Sequence, residues 1–165
     1  MSELIRDVKM SNTLLVIYYS QKGATQKMAS EIARGARDMG INVVFKTVLD
    51  CAIADLQAAD GIAFGSPTYY SNIAWQTKKF LDETILEFYA QGYSLKGKVC
   101  GCFTSTGGYA DGKECLRMLE LACGYALKMS MVLGVVLESK EIDEGNIPKC
   151  YDLGKRIAQE LAKDK

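Results

Sequence analysis

The sequence predicts an α/β protein, a parallel β-sheet with helices packed on both faces. Three observations predict it. Short apolar runs rich in β-branched and aromatic residues alternate with longer segments in which apolar residues recur every three to four positions. The short runs lack polar alternation, as expected of strands buried on both faces. No linker, repeat or low-complexity stretch interrupts the alternation, so residues 1–165 read as one domain with 1–12 as an N-terminal extension. Strand–helix–strand units of this kind join through right-handed crossovers.

Leu14 to Tyr19 opens the pattern, too short for a helix and apolar throughout. A polar turn, Ser20 to Thr25, leads into a helix whose Met28, Ile32, Ala36 and Met39 form one stripe ending at Gly40. Ile41 to Leu49 is the second strand, followed by a short polar stretch with Asp55, Leu56 and Ala59. Asp60 to Gly65 is the third strand, cut off by Ser66-Pro67. From Ala74 a long helix carries Thr77, Leu81, Ile85 and Phe88 on one face. Lys98 to Thr104 is the fourth strand, with Gly101 as its weak point. Gly112 to Leu127 is a second long helix, apolar on more than one face, which indicates deep burial or an interface and leaves a homo-oligomer open. Met131 to Leu137 is the fifth strand, and Lys149 to Lys163 the closing helix with Leu153, Ile157 and Leu161.

Composition narrows the function. The 20 basic residues balance 20 acidic ones, so no electrostatic footprint for nucleic acid or anionic membrane exists. No apolar run has transmembrane length and Met1 to Asn12 lacks a signal-peptide core, which predicts a cytoplasmic location. The chain has no histidine, which removes Ser-His-Asp and Cys-His catalysis and most zinc chemistry. The six cysteines show no C-x-x-C spacing, and Cys100 and Cys102 share a strand face, so core packing is expected and no metal site.

In such a sheet ligands bind beyond the carboxyl ends of the strands. The segments after strands one, three and four are Ser20-Gln21-Lys22-Gly23-Ala24-Thr25, then Ser66 through Pro67, Thr68, Tyr69, Tyr70, Ser71 and Asn72, then Thr104-Ser105-Thr106-Gly107-Gly108-Tyr109. All are rich in hydroxyls or glycine, and two carry tyrosines. The first precedes a helix, whose leading N–H groups and dipole attract an anion. The plainer reading is that Ser20 and Thr25 only cap that helix. A flat, partly apolar ligand with a phosphate at one end suits the three segments together.

Ser20-x-x-Gly23-x-Thr25 after a first strand, Gly65-Ser-Pro-Thr68 before a helix, and Phe103-Thr-Ser-Thr-Gly-Gly108 after the fourth strand resemble the flavodoxin superfamily. The nearest pattern is its branch of FMN-dependent NAD(P)H:quinone oxidoreductases, the tryptophan-repressor-binding-protein-like flavoproteins. The resemblance runs from about Leu14 to the C-terminus. It implies a flavodoxin-like three-layer doubly wound sandwich with a five-stranded sheet in order 2-1-3-4-5. It also implies FMN, with Ser20 to Thr25 holding the phosphate and Pro67 to Asn72 and Thr104 to Tyr109 flanking the isoalloxazine. A response-regulator receiver, a low-molecular-weight tyrosine phosphatase, a P-loop kinase and a Rossmann domain each need residues these loops lack.

The resemblance therefore implies an oxidoreductase that moves electrons from NAD(P)H or a redox protein to a quinone or another redox protein. The flavin does that chemistry, so no catalytic side chain is expected. A flavodoxin-type carrier between protein partners is the alternative, and an interaction module without cofactor the second alternative. Ser71 stands where many family members have glycine beside the flavin. Positive φ is costly for residues with a Cβ, so Tyr69-Tyr-Ser-Asn72 predicts a stiff turn and near two-electron behaviour. Asparagine tolerates the left-handed region better than most residues.

Overall fold

The structure, a computed structural model, describes residues 11–143 and 147–163. Most of the predicted N-terminal extension therefore lies outside the described residues. Strands β1 (Thr13–Tyr18), β2 (Asn42–Thr47), β3 (Gly61–Tyr69), β5 (Val99–Thr106) and β6 (Ser130–Glu138) form the parallel sheet, in order β2-β1-β3-β5-β6. Numbering only these five strands along the chain gives the expected 2-1-3-4-5. A two-residue strand, β4 (Asn72–Ile73), pairs antiparallel with the end of β3.

Alternation along β1 builds the layers. Leu14, Val16 and Tyr18 face one core with Met28, Ile32 and Ala36 of α1 (Ala24–Asp38) and Leu153, Ile157 and Leu161 of α7 (Pro148–Lys163). Leu15 and Ile17 face the other, with Leu56 of α2 (Ile53–Ala58), Phe80, Ile85 and Phe88 of the 75–90 helix, and Leu119 and Cys123 of the 109–126 helix. Successive side chains point to opposite faces of a strand, so one apolar run feeds both layers. Helices α1 and α7 touch through glycines: a Cβ on Gly35 would lie 2.1 Å from the Tyr151 carbonyl oxygen, and one on Gly154 2.0 Å from that of Ile32.

The two long helices are not uniform. The first joins α3 (Trp75–Lys79) and α4 (Leu86–Ala90) through a π-helical Phe80–Ile85. The second is α5 (Tyr109–Glu120), continued by a π-helical Leu121–Ala126. It starts three positions before the expected Gly112. A short α6 (Ser139–Asp143) follows β6.

Strands β3 and β5 run further than the apolar runs suggest. Pairing of β1 with β3 ends at Tyr18 and Gly65, yet β3 continues along β5 through Ser66–Thr104 and Pro67–Ser105. Ser66 and Pro67 lie past the end of the β1 pairing and before the β4 pairing at Thr68. Among the described residues β5 is therefore their one strand partner, and such an edge is where a strand tolerates proline. The stretch with Asp55 is the helix α2, and Asp55 Oδ2 accepts a 2.8 Å bond from Ala52 N at its start. No described helix is long and apolar enough to cross a membrane.

Candidate functional site

Beyond the carboxyl ends of β1, β3 and β5 lies a cavity of about 240 Å³. Ser20, Gln21, Lys22, Ala24, Thr25, Pro67, Thr68, Tyr69, Ser105, Thr106, Gly107 and Ser139 line it. Lys22 is the one charged side chain among these, and no carboxylate is present. Gly23, Tyr70, Ser71, Asn72, Thr104, Gly108 and Tyr109, also expected at the site, are not on this wall.

The first segment is a glycine turn into α1 and not a side-chain cap. Gly23 occupies the N-cap of α1 with φ +96°, and no side chain caps the helix. Ser20 Oγ accepts a 3.1 Å bond from Gly23 N and so braces the turn before the helix begins. Thr25 is buried, with its Oγ1 2.8 Å from Ser105 Oγ. Neither hydroxyl serves the role the plainer reading gives it. The leading N–H groups of a helix lack internal partners, and here Ala24 and Thr25 of the first turn of α1 line the cavity together with Lys22.

The second segment is a β-hairpin, not an open loop. Tyr69 pairs with Asn72, and the two residues between them both take positive φ, Tyr70 at 50° and Ser71 at 63°. That is the primed geometry a two-residue hairpin favours, formed here without glycine. Asn72 itself sits in β4, its Oδ1 accepting from Ile73 N. Tyr70 is fully exposed. Tyr69 lines the cavity and its hydroxyl donates to Gln21 Oε1 at 3.0 Å. Burial, then the neighbouring Tyr19, pushes the Tyr69 phenol above its ordinary pKa. Ser66 fastens the hairpin base: its Oγ donates to the Pro67 carbonyl and accepts from Ala74 N ahead of α3.

In the third segment Thr104, Ser105 and Thr106 belong to β5 and are buried. Thr104 Oγ1 lies 2.8 Å from Thr68 Oγ1, which ties β3 to β5 behind the cavity. Thr106 Oγ1 donates to the Gly108 carbonyl at 2.6 Å and accepts from Gly108 N, closing the Gly107-Gly108 turn. Tyr109 is half exposed at the start of α5.

Two residues escaped the sequence reading. Ser139 lines the cavity and donates to the Thr106 carbonyl at 3.2 Å. Its signal in the sequence is a hydroxyl immediately after the fifth strand. Asp111, in the first turn of α5, accepts a 2.5 Å bond from Ser71 Oγ. Nothing local in the sequence ties it to a residue 40 positions away. Side-chain bonds thus join all three segments pairwise: Gln21 with Tyr69, Thr25 with Ser105, and Thr68 and Ser71 with Thr104 and Asp111.

The sequence profile of the flavodoxin family matches residues 16–147. The chain belongs to the flavodoxin family. It is 31% identical over 163 residues to a flavodoxin of Aquifex aeolicus, covering 90% of this chain and 86% of that protein. It is 35% identical over 121 residues to NAD(P)H dehydrogenase (quinone) 3 of Rhizobium meliloti, where 61% of this chain spans 56% of that protein. A flavodoxin described as WrbA-like from Agrobacterium tumefaciens superposes with a TM-score of 0.76 at 27% identity, covering 94% of this chain and all of that one. FMN is the cofactor of the family.

The cysteines of this flavodoxin chain lie away from the cavity wall. All six are buried free thiols. Cys100 and Cys102 share the core face the sequence predicted, and their sulfurs and that of Cys123 lie within 4.8 Å of one another. Burial pushes Cys51 and Cys150 up to about 12.

Proposed function

We propose that this chain binds FMN at the 240 Å³ cavity and passes electrons between redox partners, as a flavodoxin-type carrier. The cavity wall carries the reading: hydroxyls, the α1 N-terminus and Lys22 surround it, with no carboxylate to repel a phosphate dianion. On this reading Ser20 to Thr25 hold the phosphate. Pro67 to Asn72 and Thr104 to Tyr109 flank the ring system, with Tyr69 as its aromatic neighbour. Bound FMN supplies the redox chemistry. The chain binds, orients and shields it, and no side chain serves as acid or base. Similarity along nearly the whole chain to a flavodoxin favours the carrier, against the near two-electron behaviour that a stiff turn over residues 69–72 predicts.

Reduction of a quinone by NAD(P)H is the second reading, favoured by the 35% identity to a quinone dehydrogenase. The chain spans little more than half of that relative, which weighs against it. Titrating flavin-free protein with FMN and with riboflavin tests the site. FMN is expected to bind far more tightly, and equal affinities would remove the phosphate from the α1 turn. Anaerobic reductive titration then separates the readings. Two resolved one-electron stages mark the carrier, and a single stage with NADPH-driven quinone reduction marks the reductase.

A further inference from the structure

We propose that Asp111 is a positioning residue that latches the Tyr70-Ser71 turn in its left-handed conformation and so fixes the wall segment that faces the cofactor. The inference rests on the FMN reading for its functional part, and on the hairpin itself for its structural part. Residues with a Cβ adopt positive φ at a cost, because the Cβ crowds the following carbonyl oxygen. Here two in succession do so. Such strain persists only where the surroundings over-determine it.

The hairpin has few means to do so alone. Its ladder is two pairs long, Thr68–Ile73 and Tyr69–Asn72. Tyr70 is fully exposed and contributes no packing. At the tip Ser71 Oγ donates to Asp111 Oδ1, and the 2.5 Å length is that of a hydroxyl bonded to a charged carboxylate.

Asp111 is a firm anchor. It lies in the first turn of α5, where the helix dipole favours a negative charge. The next residue, Gly112, packs so closely that a Cβ there would meet Val136 Cγ1 at 2.6 Å and Thr106 Cγ2 at 2.7 Å. The carboxylate therefore rides on a helix end pinned to β5 and β6, and Ser71 rides on a two-residue tip. The bond carries the stiffness of the first to the second. It also couples the Pro67 to Asn72 segment to α5, which begins at Tyr109, the last residue of the other segment the FMN reading places against the ring system.

The test uses Asp111→Ala, Asp111→Asn, Ser71→Gly and the double variant Ser71→Gly/Asp111→Ala, with far-ultraviolet circular dichroism to verify folding. In flavin-free protein, Asp111→Ala is expected to speed amide hydrogen exchange across residues 69–73 by about tenfold and leave the sheet unchanged. Asp111→Asn, which keeps an acceptor oxygen, is expected to show a smaller increase. Glycine takes the left-handed region freely, so Ser71→Gly needs no latch. FMN affinity is accordingly expected to fall about tenfold in Asp111→Ala, and to differ by less than about twofold between Ser71→Gly and the double variant. Unchanged exchange in Asp111→Ala would overturn the latch, whatever FMN does. So would an affinity loss of equal size in the Ser71→Gly background. A parent that binds no FMN would remove the cofactor reading instead, and exchange in the flavin-free variants still decides the latch.

Discussion

Thr25 Oγ1 and Ser105 Oγ lie 2.8 Å apart in a buried contact that joins the first turn of α1 to the end of β5. Two segments 80 residues apart in sequence thus share one hydrogen bond at the cavity wall. Thr25→Ala is expected to weaken FMN by about 1–2 kcal/mol, and riboflavin much less. Ser105→Ala removes the same bond, so the two losses should not add. A double-mutant cycle measured by calorimetry should give a coupling of about 0.5–1 kcal/mol. Strict additivity would mean that the contact does not shape the phosphate site.

Tyr69 and Tyr70 are neighbours with opposite fates. Tyr69 lines the cavity and is bonded to Gln21, whereas Tyr70 is wholly exposed. Tyr69→Ala should weaken FMN by at least about 0.5–1.5 kcal/mol and perturb the flavin absorption bands. Tyr70→Ala should leave both within error. Fluorescence titration of the two variants decides it, and equal effects would contradict the difference in exposure.

Much of this site was legible in the sequence, for reasons particular residues make clear. The LLVIYY run and the small polar turn after it made β1 and α1 legible through local pattern alone. Gly23 was legible as the glycine of that turn, and its φ of +96° is one that residues with a Cβ rarely adopt. The reach of β3 past Pro67 was not, because a proline in a strand depends on whether the neighbouring strand has already ended. The hairpin geometry at Tyr70-Ser71 was misread for a related reason. Local preference disfavours it, and a carboxylate 40 positions away helps hold it.

Lys46 and Asp55 make a pair whose effect depends on pH. Lys46 Nζ lies 2.7 Å from Asp55 Oδ2, and that carboxylate also accepts from Ala52 N. Burial works to raise the Asp55 pKa, but the Lys46 and Ala52 bonds prevail and hold it below the ordinary carboxylate value. A depressed folded pKa contributes stability above the unfolded value and loses it as pH falls through the folded one. Asp55→Asn should therefore cost about 1 kcal/mol at neutral pH and progressively less in acid. Urea denaturation of parent and variant at several pH values checks this, and a gap constant down to pH 2 would count against it.

The thiols should be silent in the folded chain. All six cysteines are buried, and at about 12 the pKa of Cys51 and Cys150 leaves almost no thiolate at pH 8. A disulfide reagent should modify the native protein slowly, at a rate set by opening of the fold, and all six thiols at once in denaturant. Rapid reaction of any cysteine under native conditions would contradict its burial.

The Tyr70-Ser71 turn should be improvable, and the improvement is informative. Both residues hold positive φ, Tyr70 at 50° and Ser71 at 63°, in a two-residue hairpin whose preferred sequence is Asn-Gly. Asparagine enters the left-handed region more readily than tyrosine, and glycine enters it without a steric cost. Tyr70 is fully exposed, so replacing it forfeits no packing, and the loss of the Ser71–Asp111 bond is the one debit. The variant Tyr70→Asn/Ser71→Gly should therefore raise stability by about 1 kcal/mol, since two relieved left-handed residues outweigh one partly exposed hydrogen bond. Chemical denaturation of the flavin-free protein measures it. A destabilised variant would mean that the bond to Asp111 is worth more than the strain it restrains. A stabilised variant would mean that the chain keeps Tyr70 and Ser71 at a cost in stability, as expected of a turn held for what it does at the cofactor.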